Sequence, residues 1–189
     1  LLEHLFPATA AALDKGDTMG LELIEQTMAN TDKRVRAGKP VTPAFIYAAL
    51  LWPPLQDRTR SLAPNRTPLE AHLQASQDVI GAQLSHTALP RRFMIPMREM
   101  WDMQERLTQR HRAPRLMERA RFRAAYDFLL LREAAGEQLD GLGNWWTRYQ
   151  AVDEAEREQM VQEAQKAKPR SRRRRRSGRS RSKPAPADD

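Results

Sequence analysis

The chain has no cysteine. That excludes a disulfide framework, a thiolate metal site and a cysteine nucleophile, and it fits a reducing compartment, so a cytoplasmic location is expected. Histidine is nearly as scarce. His4, His72, His86 and His111 are scattered, and none has a second histidine four residues on, so no metal-ligand set of the usual spacing exists. Each reads as a structural or surface side chain. No apolar run approaches the ~18 residues that span a bilayer. The opening LLEHLFPATAAALDKGD carries Glu3 and no basic n-region, which is not the pattern of a signal peptide. It also has no initiator methionine and starts as if inside an amphipathic helix, so a fragment of a longer protein is expected.

Catalytic motifs are equally thin. Ser85 and His86 adjoin, but no G-x-S-x-G elbow surrounds them. Gly141 and Gly143 lack the third glycine and the preceding strand of a dinucleotide loop. No two aspartates stand two residues apart anywhere, which removes the commonest means of holding two Mg²⁺ for nucleotidyl transfer. No catalytic, cofactor-binding or metal-binding residue is assigned.

What is present reads as helix after helix. Asp17-Thr18 offers an N-cap to a segment with Leu21, Ile24 and Met28 on one side, and Gly38 and Pro40 are stop signals. Thr42-Pro43 starts PAFIYAALLW, which Trp52-Pro53-Pro54 is expected to end. Thr67-Pro68-Leu69-Glu70 has the form of a capping box, and behind it Leu69, Leu73, Val79, Ile80 and Leu84 recur near a 3.6 period. Phe93, Met97, Met100, Trp101 and Leu107 form the next stripe, with Pro96 either kinking that helix or marking its first turn. Phe122, Ala125, Tyr126, Leu129 and Leu130 make the clearest helical face. Leu139, Leu142, Trp145, Trp146 and Tyr149 make another, weakened by Gly141 and Gly143 at about 1 kcal/mol each. The tryptophans read as core packing before base stacking. With no alternating β pattern, the fold class is all-α, a multi-helix bundle or irregular helical array of seven or eight helices. From about residue 150 a charged, solvated helix is expected to fray into a disordered arginine-rich tail.

Charge is unevenly placed. Residues 1–90 hold eight basic and nine acidic residues, and residues 124–168 hold five and nine. Residues 91–123 hold ten arginines, no lysine and four acids, and residues 169–189 hold nine basic residues and two aspartates. Two basic regions, one inside the folded part and one beyond it, suggest a polyanionic partner. Arginine's planar fork suits bidentate phosphate contacts and stacking on bases. Arg91, Arg98, Arg106, Arg110 and Arg112 lie largely off the Phe93/Met97/Met100/Trp101 stripe and can form an exposed ridge. The plainer account is intrahelical pairing of these cations with Glu99, Asp102 and Glu105, Arg98 and Arg106 taking Asp102 and Glu105. The tail has three readings: a localisation signal, an Arg-Ser segment switched by phosphorylation, or a nonspecific grip on RNA.

FRAAYDFLLLR at 122–132, NWWTRYQ at 144–150 and the arginine-rich end together resemble the C-terminal region of bacterial poly(A) polymerase I, a nucleotidyltransferase family related to CCA-adding enzymes. EHLFPATAAAL at 3–13, IEQTMANTDKRVRAGKPVTPAFIYAALLW at 24–52 and LPRRFMIPMREMWDMQERL at 89–107 agree in order, with 56–75 weakest. The resemblance implies an enzyme that adds AMP from ATP to RNA 3′ ends, with Mg²⁺ and ATP held by a catalytic head upstream of residue 1. No cofactor is expected in this chain itself. It further implies that residues 1–62 form the rear of an RNA-binding body, 63–165 an arginine-rich helical domain and 166–189 the tail. Charge then nominates as RNA contacts Arg91, Arg92, Arg98, Arg106, Arg110, Arg112, Arg115, Arg119, Arg121 and Arg123, with Arg170, Arg172, Arg173, Arg174, Arg175 and Arg176 in the tail. The expected partners are single-stranded RNA 3′ ends and RNA-decay proteins, with no membrane. The rival reading is a protein-interaction adaptor, using the acidic face of 124–168 and the tail in an RNA-degradation assembly.

Overall fold

Prolines and short polar side chains decide where the helices begin. In the computed structural model, which describes residues 1–167, eleven α-helices and no strand occur among the described residues. They are α1 Leu2–Leu5, α2 Pro7–Asp14, α3 Thr18–Arg36, α4 Pro43–Leu50, α5 Trp52–Leu62, α6 Pro68–Leu84, α7 Arg91–Leu107, α8 Ala113–Met117, α9 Phe122–Ala134, α10 Leu142–Ala151 and α11 Glu154–Lys166. Asp17 caps α3 by accepting from Gly20 N at 2.8 Å. The Thr67/Glu70 capping box forms in both directions, and the backbone and hydroxyl of Thr67 together hold the Glu70 carboxyl below its usual range. The all-α class stands.

More helices occur among the described residues than the seven or eight expected because several are short. The helix begun at Pro43 does end ahead of Trp52-Pro53-Pro54, at Leu50, but a second helix starts at once. Leu51 closes α4 and opens α5, and the two prolines occupy the first turn of α5, where N–H groups have no intrahelical partner to lose. Pro96 is neither at the first turn of α7 nor outside it: the helix begins at Arg91 and continues through it.

α6 departs furthest from the expected pattern. Val79 and Ile80 are buried, but Leu69, Leu73 and Leu84 are exposed, and the packed face is completed by Ala71, His72, Ala75, Ser76 and Gln83. This face lies along α5, and an Arg58–Asp78 ion pair of 2.6 Å ties the two helices. Gln74 and then Arg58 hold the Asp78 carboxyl below its usual range.

Two apolar clusters result. One gathers Phe6, Leu23, Leu51, Trp52, Leu55, Met97, Trp101 and Phe128, among others. The second gathers Met103, Leu107, Leu116, Phe122, Tyr126, Leu129, Trp146 and Met160. α7 and α9 serve both. Phe128 meets Phe45 and Trp52 edge-on at 5.7 and 5.2 Å, while Phe122 meets Trp146 at 5.1 Å. Indole N–H groups lock the layers: Trp101 donates to Ala48 O at 3.1 Å and Trp146 to Leu107 O at 3.0 Å. Gly143, a weakness by helix propensity alone, admits a carboxylate. Its N–H donates to Glu133 Oε1 at 2.8 Å, and a Cβ there would collide with Glu133 Oε2.

α11 is more firmly attached than a solvated helix. Met160 is buried in the second cluster, and Arg157 donates to Tyr149 O and Gln150 O, both at 2.9 Å, closing the end of α10.

Candidate nucleic-acid interface

The ten arginines of residues 91–123 fall into two settings. On α7, Met97, Met100, Trp101, Met103 and Leu107 are buried. Arg91 and Arg106 are exposed and Arg98 is half-buried on the opposite side, where Glu99, Asp102 and Glu105 also lie. With Arg92, whose guanidinium lies 4.8 Å from the Phe93 ring centroid, that helix carries four cations against three acids. The excess therefore lies downstream. Residues 108–121, the connector from α7 to α9, hold five arginines and one acid, Glu118, and Arg123 follows in the first turn of α9.

The connector is a series of turns pinned from inside. A 3₁₀ turn at Arg110–Arg112 leads into α8, and Ala113, Leu116 and Phe122 insert into the second cluster. The arginines between them stay outside. Arg112, Arg115 and Arg119 are exposed and have no side-chain partner among the described residues. Arg110 donates to Asp140 O at 2.9 Å and lies 5.8 Å from the Trp145 ring centroid. Arg121 pairs with Glu99 at 2.9 Å, and Arg123 with Asp127 at 3.1 Å, beside Tyr126.

The intrahelical pairing expected on α7 does not occur. Arg98 and Arg106 make no ion pair with Asp102 or Glu105. Asp102 instead lies 3.2 Å from the buried His72 Nε2, and Glu99 accepts from Arg121. Tertiary neighbours reach these carboxylates and leave Arg91, Arg98 and Arg106 unpaired among the described residues. Arg170 and Arg172 to Arg176 lie outside the described residues.

The tryptophans divide. Trp101 and Trp146 are fully buried. Trp145 is half-buried, stacked on Tyr149 at 5.0 Å and 8°, at the edge of the connector. Burial raises the Tyr149 pKa above its usual value, with Arg157 opposing. The Glu156 carboxylate, which accepts from Arg148, raises the pKa of that guanidinium. These shifts reflect local packing and pairing and converge on no shared cleft.

Sequence reasoning gave Arg132 no role. It is buried on α9, donates to both Glu137 oxygens at 2.8 and 2.6 Å and to Gln104 Oε1 at 2.8 Å, and lies 4.5 Å from the Trp52 ring centroid. Gln104 in turn donates to Met100 O and Ala125 O. The signal was available, since Arg132 stands four residues after Phe128 and three after Leu129, on a core register. The cationic end of α3 was likewise assigned nothing.

Among the described residues no group of three or more His, Asp or Glu side chains is placed to hold a metal ion. No helix among them is long and apolar enough to cross a membrane. The surface offers guanidinium groups on a rigid support, which is the chemistry of phosphate binding.

The family described as Polymerase A arginine-rich C-terminus matches residues 65–181. The chain is similar to poly(A) polymerase I of Salmonella typhi, with 34% identity over 170 residues, covering 86% of this chain and 37% of that protein. It is also similar to the poly(A) polymerase I of Haemophilus influenzae, 35% identical over 176 residues, covering 89% and 39% respectively. The enzyme of Escherichia coli O157:H7 matches at 34% over 170 residues. The chain thus spans little more than a third of these relatives' length. It belongs to the Polymerase A arginine-rich C-terminus family.

Proposed function

We propose that this chain is the RNA-holding portion of a poly(A) polymerase, and that the α7–α9 connector grips the phosphates of a single-stranded RNA near its 3′ end. The observation that carries this reading is the trio Arg112, Arg115 and Arg119, exposed, without partners among the described residues, and backed by apolar anchors in the second cluster. Trp145 beside Arg110 provides a ring on which a base can stack. The tail arginines raise the local RNA concentration and the association rate. Addition of AMP from ATP belongs, on this reading, to the rest of the polymerase. No catalytic step is assigned to this chain.

The test is fluorescence anisotropy of a labelled oligo(A) titrated at several salt concentrations. Each phosphate contact on a single strand contributes about −0.7 to the log–log slope. Replacing Arg112, Arg115 and Arg119 together by alanine is expected to flatten the slope by about 2, with thermal unfolding unchanged. An unchanged slope overturns the reading. A groove lined by Met117, Tyr149, Val161, Glu154 and Glu158 favours a second role, docking of a decay protein. Capture of such a protein that survives ribonuclease supports that role, and loss on ribonuclease treatment counts against it.

A further inference from the structure

The last buried residue of α3 is Thr27, yet the helix continues to Arg36. From Lys33 to Pro40 every residue is exposed. A helical extension with no packed face is unusual unless it meets something else. This one carries Lys33, Arg34 and Arg36, followed by Lys39, with Asp32 the one neighbouring acid.

Its end is rigid. Lys39 N donates to Arg34 O at 2.9 Å and Gly38 N to Val35 O at 3.0 Å, with Gly38 at φ +65. These two bonds form a Schellman motif, which is commonly accompanied by an apolar contact between the residues that here are Arg34 and Lys39. Two cations occupy those positions instead. Arg34 donates through Nε and Nη2 to Pro40 O, at 3.2 and 2.9 Å, and clamps the turn. The side chains of Lys33, Arg36 and Lys39 have no partner among the described residues. The helix dipole accounts for cations in the last turn. It does not account for Lys39 beyond that turn, nor for a helix end that leaves the core.

We propose that Lys33, Arg36 and Lys39, on the turn clamped by Arg34, form a second phosphate-contacting site for RNA, separate from the α7–α9 connector. This rests on the reading that the chain holds RNA. A protein partner or a lipid surface would require apolar anchors, and the projecting end offers one, Val35. Both cationic regions are fastened to the same helix. α3 meets the end of α9 through Gln26 and Ala134 O at 3.4 Å. The chain leaving Lys39 packs Phe45 against Phe128 of α9, and Arg121 and Arg123 flank that helix's first residue.

The experiment uses the full chain, a 20-nucleotide oligo(A) and the salt dependence of anisotropy. The triple variant Lys33→Gln, Arg36→Gln, Lys39→Gln is expected to flatten the slope by about 2. The double variant Lys33→Arg, Lys39→Arg should retain it. A control removing three cations that already have acidic partners, Lys15 and Arg60 on Asp57 and Arg148 on Glu156, should leave it unchanged. If the connector variant weakens binding while the α3 variant does not, or if the control weakens it equally, the second site is refuted and the connector reading survives. If neither the connector nor the α3 variant changes the slope, both fall.

Discussion

Two helices in this chain stop with the same backbone device and use it for opposite purposes. At the end of α9, Glu137 N donates to Arg132 O and Gly136 N to Glu133 O, both at 3.0 Å, with Gly136 at φ +98. At the end of α3 the equivalent bonds run from Lys39 to Arg34 and from Gly38 to Val35. The motif brings its flanking side chains together in each case. In α9 they are Arg132 and Glu137, opposite in sign, largely buried and bonded to Gln104 through the arginine. In α3 they are Arg34 and Lys39, alike in sign and exposed. The first end closes a structure. The second holds charge that the fold does not use, which is where an external anion should be sought.

The largest effect should come from opening the closed end. Arg132→Ala leaves Glu137 and Gln104 without their shared donor and removes the cation beside Trp52. Loss of one partner from a buried ion pair costs about 3–5 kcal/mol, and urea unfolding should show a loss near the lower bound because Glu137 keeps 27% of its side-chain exposure. A loss below about 1 kcal/mol, the range of surface pairs, would mean that the two ends are energetically equivalent and the comparison empty.

Next come the two glycines. Alanine in a left-handed conformation costs roughly 1–2 kcal/mol. Gly136→Ala acts on a turn that seats Arg132 and Glu137, so the full cost should appear in global unfolding. Gly38→Ala acts beyond the last packed residue of α3. There the strain is relieved by fraying back toward Thr31, whose hydroxyl donates to Thr27 O. Hydrogen exchange should accelerate at residues 33–39 while the urea midpoint hardly moves. Equal midpoint shifts for both variants would show that the α3 end is coupled to the core after all.

How far the sequence foretold this contrast depends on which interactions are local. Capping at Asp17 and Thr67 needs partners only three residues away, and those starts were legible. So were the α7 and α9 stripes, because large apolar residues recur on one face. The packed side of α6 was not, since Ala71, Ala75 and Ser76 let α5 lie alongside while Leu69, Leu73 and Leu84 face outward. The arginine segment was visible as a charge excess. Which of its arginines stay unpaired was obscured because Glu99 and Asp102 find partners from 22 and 30 residues away. Arg132 was hidden for the same reason: its register marked it as buried, but only the fold shows Gln104 and Trp52 around it.

The smallest effect on stability should be the most informative about function. Lys39→Glu gives the α3 end the charge pattern of the α9 end without its burial. A surface pair between the introduced carboxylate and Arg34 is worth at most about 1 kcal/mol, so unfolding should shift little, and in the stabilising direction. RNA binding should respond the other way. One phosphate contact is lost, flattening the salt slope by about 0.7, and a carboxylate now stands where the phosphate lay. A variant that folds slightly better and holds RNA less well would show that the like charges at Arg34 and Lys39 are kept at a small cost to the fold. A variant with RNA affinity intact would remove Lys39 from the phosphate site, and a loss of stability alongside it would assign that charge to the helix dipole.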